Sequence, residues 1–341
     1  MKKILIGLFL VVMVLLYLFA FGKEQFTDHI DSIEVEHIEN SIGASSRYVY
    51  PFKNIDQFKP SSCSIQAINP VGNKHYIMNI RYINYSFNEN GAIYYHPPDT
   101  VGKTKNVSVF LDGSYKPVGD LIVMKENYTA HPCEFTGLED IRLFYYQNKL
   151  KCIASCGDIT NDTNIVITIG DYDIKNKLIS NLKVINSSAP IEKNWIFVDN
   201  QFVRNLKFNN YMNFIYEWSP LKIGYIRENK LEIYKEYKVP QIFKRFRGST
   251  IVIEYNGYLW CLVHYLKNPS PRVYYHCIVQ FENGTLKPIA ISNPFVFLNK
   301  GIEYCIGFEI KNDTATFIFS TNDSTPSLLQ KDINTFIFNT V

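Results

Sequence analysis

Three charged side chains crowd into four positions in the stretch Gly137-Leu138-Glu139-Asp140-Ile141-Arg142-Leu143-Phe144, at the head of an apolar run. On an extended strand successive side chains point to opposite faces. Asp140 and Arg142 are therefore expected on one face, with Glu139 and Ile141 on the other. A carboxylate beside a guanidinium is often a plain structural ion pair. It is also an acid/base set next to an anion-binding group, the pairing needed to move a sugar to or from a phosphate. In a second stretch, Arg272-Val273-Tyr274-Tyr275-His276-Cys277, alternation puts Arg272, Tyr274 and His276 on one side of a strand. That is a poor core face. It suits a sugar or an anion, although a solvated sheet face reads the same way. His264 shares a strand face with Leu262 and Trp260, which is the pattern of a satisfied core histidine.

Further cations lie in Glu192-Lys193-Asn194-Trp195 and Arg245-Phe246-Arg247-Gly248, beside an aromatic ring and a glycine turn. Asp171-Tyr172-Asp173 has the form of a metal-holding D-x-D pair, but that pair belongs on a parallel βαβ sheet, which the pattern here lacks. No P-loop, G-x-S-x-G or H-E-x-x-H occurs, and no cysteine and histidine cluster has zinc spacing. No metal ion or other cofactor is implied.

The elements that must position these groups are strands. Short runs rich in Ile, Val, Tyr and Phe recur from residue 61 onward, separated by Asn, Gly, Asp and Pro. Glu254-Tyr255-Asn256-Gly257-Tyr258 is a hairpin signature, since Asn-Gly suits a two-residue turn with both central φ angles positive. No amphipathic segment of helical period exceeds about three turns after residue 60. The pattern predicts an all-β body. Sandwich, barrel and propeller stay open on periodicity alone, and four-stranded blades of roughly 40–60 residues would fit five to seven times. With 24 Tyr, 24 Phe and 46% hydrophobic residues the chain is not disordered, and a net charge of +3 argues against a nucleic-acid partner.

Residues 4–21 are apolar except for Tyr17, with Lys2 and Lys3 before them and Lys23 and Glu24 after. This predicts an N-terminal transmembrane helix over 1–22, with a cytoplasmic N-terminus and a luminal or extracellular body. A cleaved signal peptide is the alternative, and it exports the body too. Residues 23–60 read as an acidic stem between membrane and body, and 61–341 as the globular domain. Eight N-x-[ST] sequons, at Asn84, Asn106, Asn127, Asn161, Asn186, Asn283, Asn312 and Asn322, agree with export. Of the seven cysteines, Cys63 and Cys133 lie in loop-like sequence and are candidates to pair; the others read as buried thiols.

The order Asn69-Pro70, Asn79-Ile80-Arg81-Tyr82-Ile83-Asn84-Tyr85, Gly137-Leu138-Glu139-Asp140-Ile141-Arg142, Glu192-Lys193-Asn194-Trp195, Arg247-Gly248-Ser249-Thr250, His264, Arg272 to His276, Ile302-Glu303-Tyr304-Cys305-Ile306-Gly307 and Asn322-Asp323 resembles a known family. It is similar to the five-bladed β-propeller glycoside phosphorylases and hydrolases of glycoside hydrolase family 130, and to their relatives that act as mannosyl- or other glycosyltransferases. The resemblance implies a five-bladed β-propeller with one active site at the mouth of its central channel. Asp140 matches the family's acid, with Arg142 beside it. Arg81, Lys193, Arg247, His264, Arg272 and His276 would surround sugar and phosphate. Tyr274, Trp195 or Tyr275 would stack on sugar faces. The membrane-anchored layout favours inverting transfer of a sugar from a sugar-phosphate or nucleotide-sugar donor to a glycan acceptor. Phosphorolysis is one alternative. Hydrolysis is another, with Glu303 or Asp323 as the second carboxylate, and a non-catalytic glycan-binding propeller is the third. Asn84 falls inside a matched block, so its sequon is expected to be unoccupied.

Overall fold

A computed structural model describes residues 35–87, 92–162, 164–186, 189–203, 208, 210–269 and 272–341. The architecture is all-β and propeller-like. The only helical pieces among the described residues are short 3₁₀ segments such as Gln241–Arg245. None of these helices is long and apolar enough to cross a membrane, and the expected transmembrane helix lies outside the described residues.

Five sheets of four or more strands follow one another along the chain. The first holds Lys59–Val71, Lys74–Ile83, Gly102–Leu111 and Pro117–Val123. The second runs Glu139–Tyr146, Lys149–Cys156, Val166–Asp173 and Leu178–Ile185. The third contains Ile196–Val198, Asn213–Trp218, Leu221–Arg227 and Lys230–Tyr237. The fourth is built on Tyr258–Pro269 and Arg272–Glu282, with Arg247–Gly248 at one edge. The fifth has Glu303–Lys311, Thr314–Thr321 and Ser324–Asp332, and is completed by Tyr48–Val49. Asn256 and Gly257 both have positive φ and join paired Tyr255 and Tyr258, as the hairpin signature predicts.

The sheets form a ring because each buries both faces. Along Tyr258–Pro269, Leu259, Cys261, Val263 and Tyr265 enter a core shared with Ile215, Ile223 and Phe243. The intervening Trp260 and Leu262 enter a different core, with Phe317, Phe319 and Leu329 of the fifth sheet. Period-two alternation therefore sorts one apolar run into two cores. The fifth sheet meets the first through Ile318 and Leu328 against Cys63, Met78 and Val107. First and second meet at Ile77, Leu143 and Cys152. Second and third meet where Phe144 stacks on Phe197 at 3.9 Å. These contacts close the circle.

The described part of the acidic stem is woven into this body. Glu36–His37 pairs in parallel with Phe295–Val296, and Tyr48 pairs with Leu328. Lys331, 1% exposed, donates to Glu36 Oε1 at 3.0 Å, Ser41 Oγ at 2.8 Å and the Ile42 carbonyl at 2.7 Å. One stem carboxylate thus answers a buried cation rather than solvent. Cys63 lies buried within Lys59–Val71 instead of a loop, and all seven cysteines are free, so the expected pairing with Cys133 is not formed. Asn84 and Asn106 are fully buried and hydrogen-bonded through their amides.

Replacing Lys331 with methionine keeps most of the side-chain volume but leaves three acceptors without their donor. Lys331→Met is expected to cost about 2–3 kcal/mol. Urea unfolding measures the loss, and hydrogen exchange should show residues 36–45 loosening first.

Candidate active site

Side chains from four of the sheets, and from the segment that leads into the third, meet at a cavity of about 360 Å³. The first sheet supplies Arg81 and the second Glu139 and Asp140. Lys193 and Asn194 come from the approach to the third, Arg247, His264, Arg272 and Tyr274 from the fourth, and Tyr304 and Asp323 from the fifth. Tyr85, Phe87, Ile93 and Phe135 give one side an apolar wall.

The two carboxylates do not split to opposite faces as strict alternation would have it. Asp140 has φ +51°, and the pairing of its strand with Lys149–Cys156 slips between Glu139 and Arg142. This bulge turns both Glu139 and Asp140 to the cavity, while Ile141 goes to the core. Arg81, 5% exposed, spans the pair, with Nη2 2.9 Å from Glu139 Oε1 and Nη1 2.9 Å from Asp140 Oδ1. Ser62 Oγ also donates to Asp140 Oδ1 at 3.0 Å. Asp140 Oδ2 carries no hydrogen bond among the described residues. Lys193 Nζ holds the other Glu139 oxygen at 3.0 Å.

Arg142 sits behind this wall, 2% exposed. Its guanidinium donates to the Asp140 carbonyl at 3.3 Å, Asn194 Oδ1 at 3.1 Å, the Tyr304 hydroxyl at 3.0 Å and the Gly248 carbonyl at 3.3 Å. It pairs with no carboxylate among the described residues. It fixes the backbone at Asp140 and ties the second sheet to the fourth and fifth. Arg247 and Arg272 form no ion pair among the described residues; Arg272 lies over the Phe87 ring at 5.4 Å.

Electrostatics separates the two aspartates. Burial would raise the Asp140 carboxyl, but Arg81, Arg142 and Lys193, with the Ser62 hydrogen bond, outweigh it and hold the group below its ordinary value. Burial raises Asp323; the charges of Asp140 and Glu139 add to this, and Arg81 and Lys59 only partly oppose it. A pair of carboxyls driven apart in this way is a mark of acid/base sites. Burial, followed by His276, Arg142 and Arg247, keeps His264 well below its usual range, so its imidazole is neutral. Its Nδ1 lies 2.8 Å from Ser249 Oγ.

Of the residues nominated from sequence, Asp140, Arg81, Lys193, Arg247, His264, Arg272, Tyr274 and Asp323 line the cavity, with Arg142 directly behind. Two others lie elsewhere. His276 does share a strand side with Arg272 and Tyr274, but that side passes from the cavity into the core between the fourth and fifth sheets. There its ring packs 4.7 Å from Phe297 and is fully buried. Glu303 uses its carboxylate on the Phe297, Leu298 and Asn299 amides, at 2.6, 2.9 and 3.0 Å. Trp195 and Tyr275 are core residues, and Trp195 donates its indole N–H to Glu192 at 2.9 Å. Asp171 pairs with Lys151, and Asp173 caps a turn at Asn176. Asn194 and Tyr304 join the cavity without having been singled out by residue type, and Glu139 joins it although alternation assigned it to the opposite face; all three sit inside the sequence blocks that carry the family resemblance. For Glu139 the missing signal is the bulge, which a period-two reading cannot see.

No family model and no curated protein matches the sequence. Solved structures do match in fold. A β-1,2-mannobiose phosphorylase from Listeria innocua, solved with β-1,2-mannobiose, superposes with TM-score 0.55 at 10% identity, over 85% of this chain and 98% of that one. A mannose phosphorylase from Leishmania mexicana, in complex with a phosphate ion, gives 0.53 at 11% identity over 94% and 96%. A structure described under GH130 glycoside hydrolases that target β-1,2 mannosidic linkages in Candida mannan gives 0.56 at 8% identity over 82% and 85%. The chain shares the propeller-like fold of these proteins.

Because Asp323 is held above its ordinary value, its ionisation costs folding free energy near neutral pH. Below about pH 4 it is protonated in folded and unfolded chains alike, and the cost vanishes. Asp323→Asn is therefore expected to raise the melting temperature at about pH 7 and to give no gain at about pH 3. Asp140 is held low and has the opposite sign, so Asp140→Asn should lower the melting temperature at about pH 7, with the loss fading as pH falls through its carboxyl range.

Proposed function

We propose that the chain is an inverting carbohydrate-active enzyme that moves a mannose-type sugar between a phosphate and a glycan, with Asp140 handling the proton. The observation that carries this reading is a carboxylate with one free oxygen in the same cavity as two guanidiniums, Arg247 and Arg272, that lack carboxylate partners among the described residues. The five sheets are read as five blades, with the cavity at the mouth of their central channel. Like-folded phosphorylases were solved with mannobiose and with phosphate, and a cavity of this charge suits both.

In the synthetic direction the acceptor hydroxyl attacks the anomeric carbon, the bond to phosphate breaks, and the hydroxyl proton passes to Asp140. In the reverse direction a phosphate oxygen attacks from the opposite face and Asp140 returns the proton to the glycosidic oxygen. Each direction inverts the centre once. Arg247, Arg272 and Lys193 hold the phosphate charge in both, and a preorganised donor of this kind is commonly worth about 3 kcal/mol. With the cavity empty, Asp140 is ionised, the form that accepts a proton. A phosphate dianion beside the cations cancels part of their field and lets Asp140 regain its proton for the reverse step.

Hydrolysis is less well supported. An inverting hydrolase needs a second carboxylate, roughly 6.5–9.5 Å from the first, to activate water. Glu303 is committed to three backbone amides and Glu139 is bound by Arg81 and Lys193, which leaves Asp323, raised by burial, as the cavity acid for that role. The cavity's volume of about 360 Å³ lies at the low end of the range of roughly 300–1,000 Å³ for ligand pockets. It suits a sugar with a phosphate better than a whole nucleotide-sugar. The apolar run 4–21 would tether the body to a membrane, on its luminal or extracellular side.

The full chain incubated with phosphate and β-1,2-mannobiose is expected to release mannose 1-phosphate, and Asp140→Asn to lower turnover by about 10²–10⁴-fold while retaining sugar binding. Free mannose released without phosphate would establish hydrolysis. Transfer from a nucleotide-sugar alone would establish the transferase alternative. Unchanged turnover in Asp140→Asn would remove Asp140 from the mechanism.

A further inference from the structure

The backbone that carries Glu139 and Asp140 reaches the cavity through Gly137 and Leu138, and carboxylates claim both of their amide protons. Gly137 N donates to Asp158 Oδ2 at 3.2 Å, and Leu138 N to Glu126 Oε2 at 3.2 Å. Asn106 Nδ2 donates to the Leu138 carbonyl at 2.9 Å and to Glu126 Oε1 at 2.8 Å, so one amide ties the peptide to its own acceptor. Asn79 Nδ2 donates to Asn106 Oδ1 at 2.9 Å, and the Tyr172 hydroxyl to Asn79 Oδ1 at 2.8 Å. Asp158, 1% exposed, takes the Tyr128 hydroxyl at 2.8 Å and the Cys156 thiol at 3.0 Å on its other oxygen.

Neither Glu126 nor Asp158 lines the cavity, and neither forms an ion pair among the described residues. Placing a buried Asp158 and a partly buried Glu126 near each other with no cation is costly, and here the hydrogen bonds their side chains accept come from this loop and from Asn106, Tyr128 and Cys156. The loop has little freedom of its own. Gly137 has φ +91°, and a Cβ there would fall 2.5 Å from the Thr104 carbonyl oxygen. Leu138 is fully buried.

We propose that Glu126 and Asp158 are positioning residues: by holding the Leu138 and Gly137 amides they fix the left-handed turn at Asp140 and aim its free carboxylate oxygen into the cavity. The catalytic part of this rests on the proposed function; the positional part does not. Burial lifts the Glu126 carboxyl to about 7. The hydrogen bonds from Asn106 and Leu138 pull the other way and the charge of Asp158 adds to the rise. The titratable groups facing it are Asp158, Tyr128, Cys152 and Tyr172. A proton on Glu126 removes charge from the acceptor that holds Leu138, so turnover acquires an ionisation near neutrality that reports on the loop.

The test uses the full chain with Glu126→Gln, Asp158→Asn and the milder Tyr128→Phe, which keeps the ring packed and removes only one donor to Asp158. For the first two variants kcat is expected to fall about 10–100-fold, with KM for phosphate and for mannobiose within about twofold. Glu126→Gln should also lose the ionisation near neutrality from its kcat profile, which a purely structural defect would not do. Tyr128→Phe should lose several-fold. Crystal structures of the variants read the position without any assay, and the 2.9 Å contact of Arg81 with Asp140 is expected to lengthen or break. If the wild-type chain turns over none of the donors, the functional reading falls and the crystallographic result still decides the positioning. An unmoved Asp140, or an unchanged kcat and pH profile, overturns the proposal, and Tyr128→Phe decides between these outcomes where the other variants fail to fold.

Discussion

Arg81 places a guanidinium, almost wholly withdrawn from solvent, between two consecutive carboxylates, and the geometry of the cavity depends on that bridge. Side chains adjacent in a strand ordinarily part company. Glu139 and Asp140 stay together because the chain bulges and Asp140 takes a positive φ, a conformation that carries a conformational cost for a residue with a side chain. Without the cation, two negative charges would be left half-desolvated side by side; without the turn, the cation would have only one partner. The same bridge pulls Asp140 toward its ionised form and leaves one oxygen free. Through Glu139 it reaches Lys193 at the edge of the third sheet.

The ring explains why such a cluster lasts. Strand ends and the turns beside them deliver polar groups to the centre, while strands such as Tyr258–Pro269 are sealed in a core on either side. Little main-chain freedom remains to relax the charges, so they stay where the sheets put them. A cavity assembled from several sheets also brings together charges of both signs from distant parts of the chain. It places the depressed Asp140 and the elevated Asp323 in one solvent-poor space.

The fold is legible because its signals are local. Alternating apolar runs, the Asn256-Gly257 turn and the lack of helical period all act within a few residues, and the structure is all-β as they imply. Much of the cavity is legible too, because its residues sit in short blocks of unusual chemistry. What the pattern misses is what depends on distance. Period two places Arg272, Tyr274 and His276 on one side correctly, yet cannot say that the side changes from cavity to core partway along. Glu303 looks like a free acid in the sequence because residue type and alternation do not show that the chain just before it turns its Phe297, Leu298 and Asn299 amides back onto the carboxylate. The acidic stem looks solvated because Lys331, its buried partner, comes from the far end of the chain.

That last pairing reaches into biosynthesis. A ribosome delivers Tyr48–Val49 long before Ser324–Asp332, yet the two lie side by side in the fifth sheet. The earliest of these edges to emerge therefore waits, with its backbone donors and acceptors open, until Ser324–Asp332 has been made. Nascent copies crowded on one message would bring these open edges side by side. Holding neighbours apart during that interval is a task that falls to the cell's folding machinery.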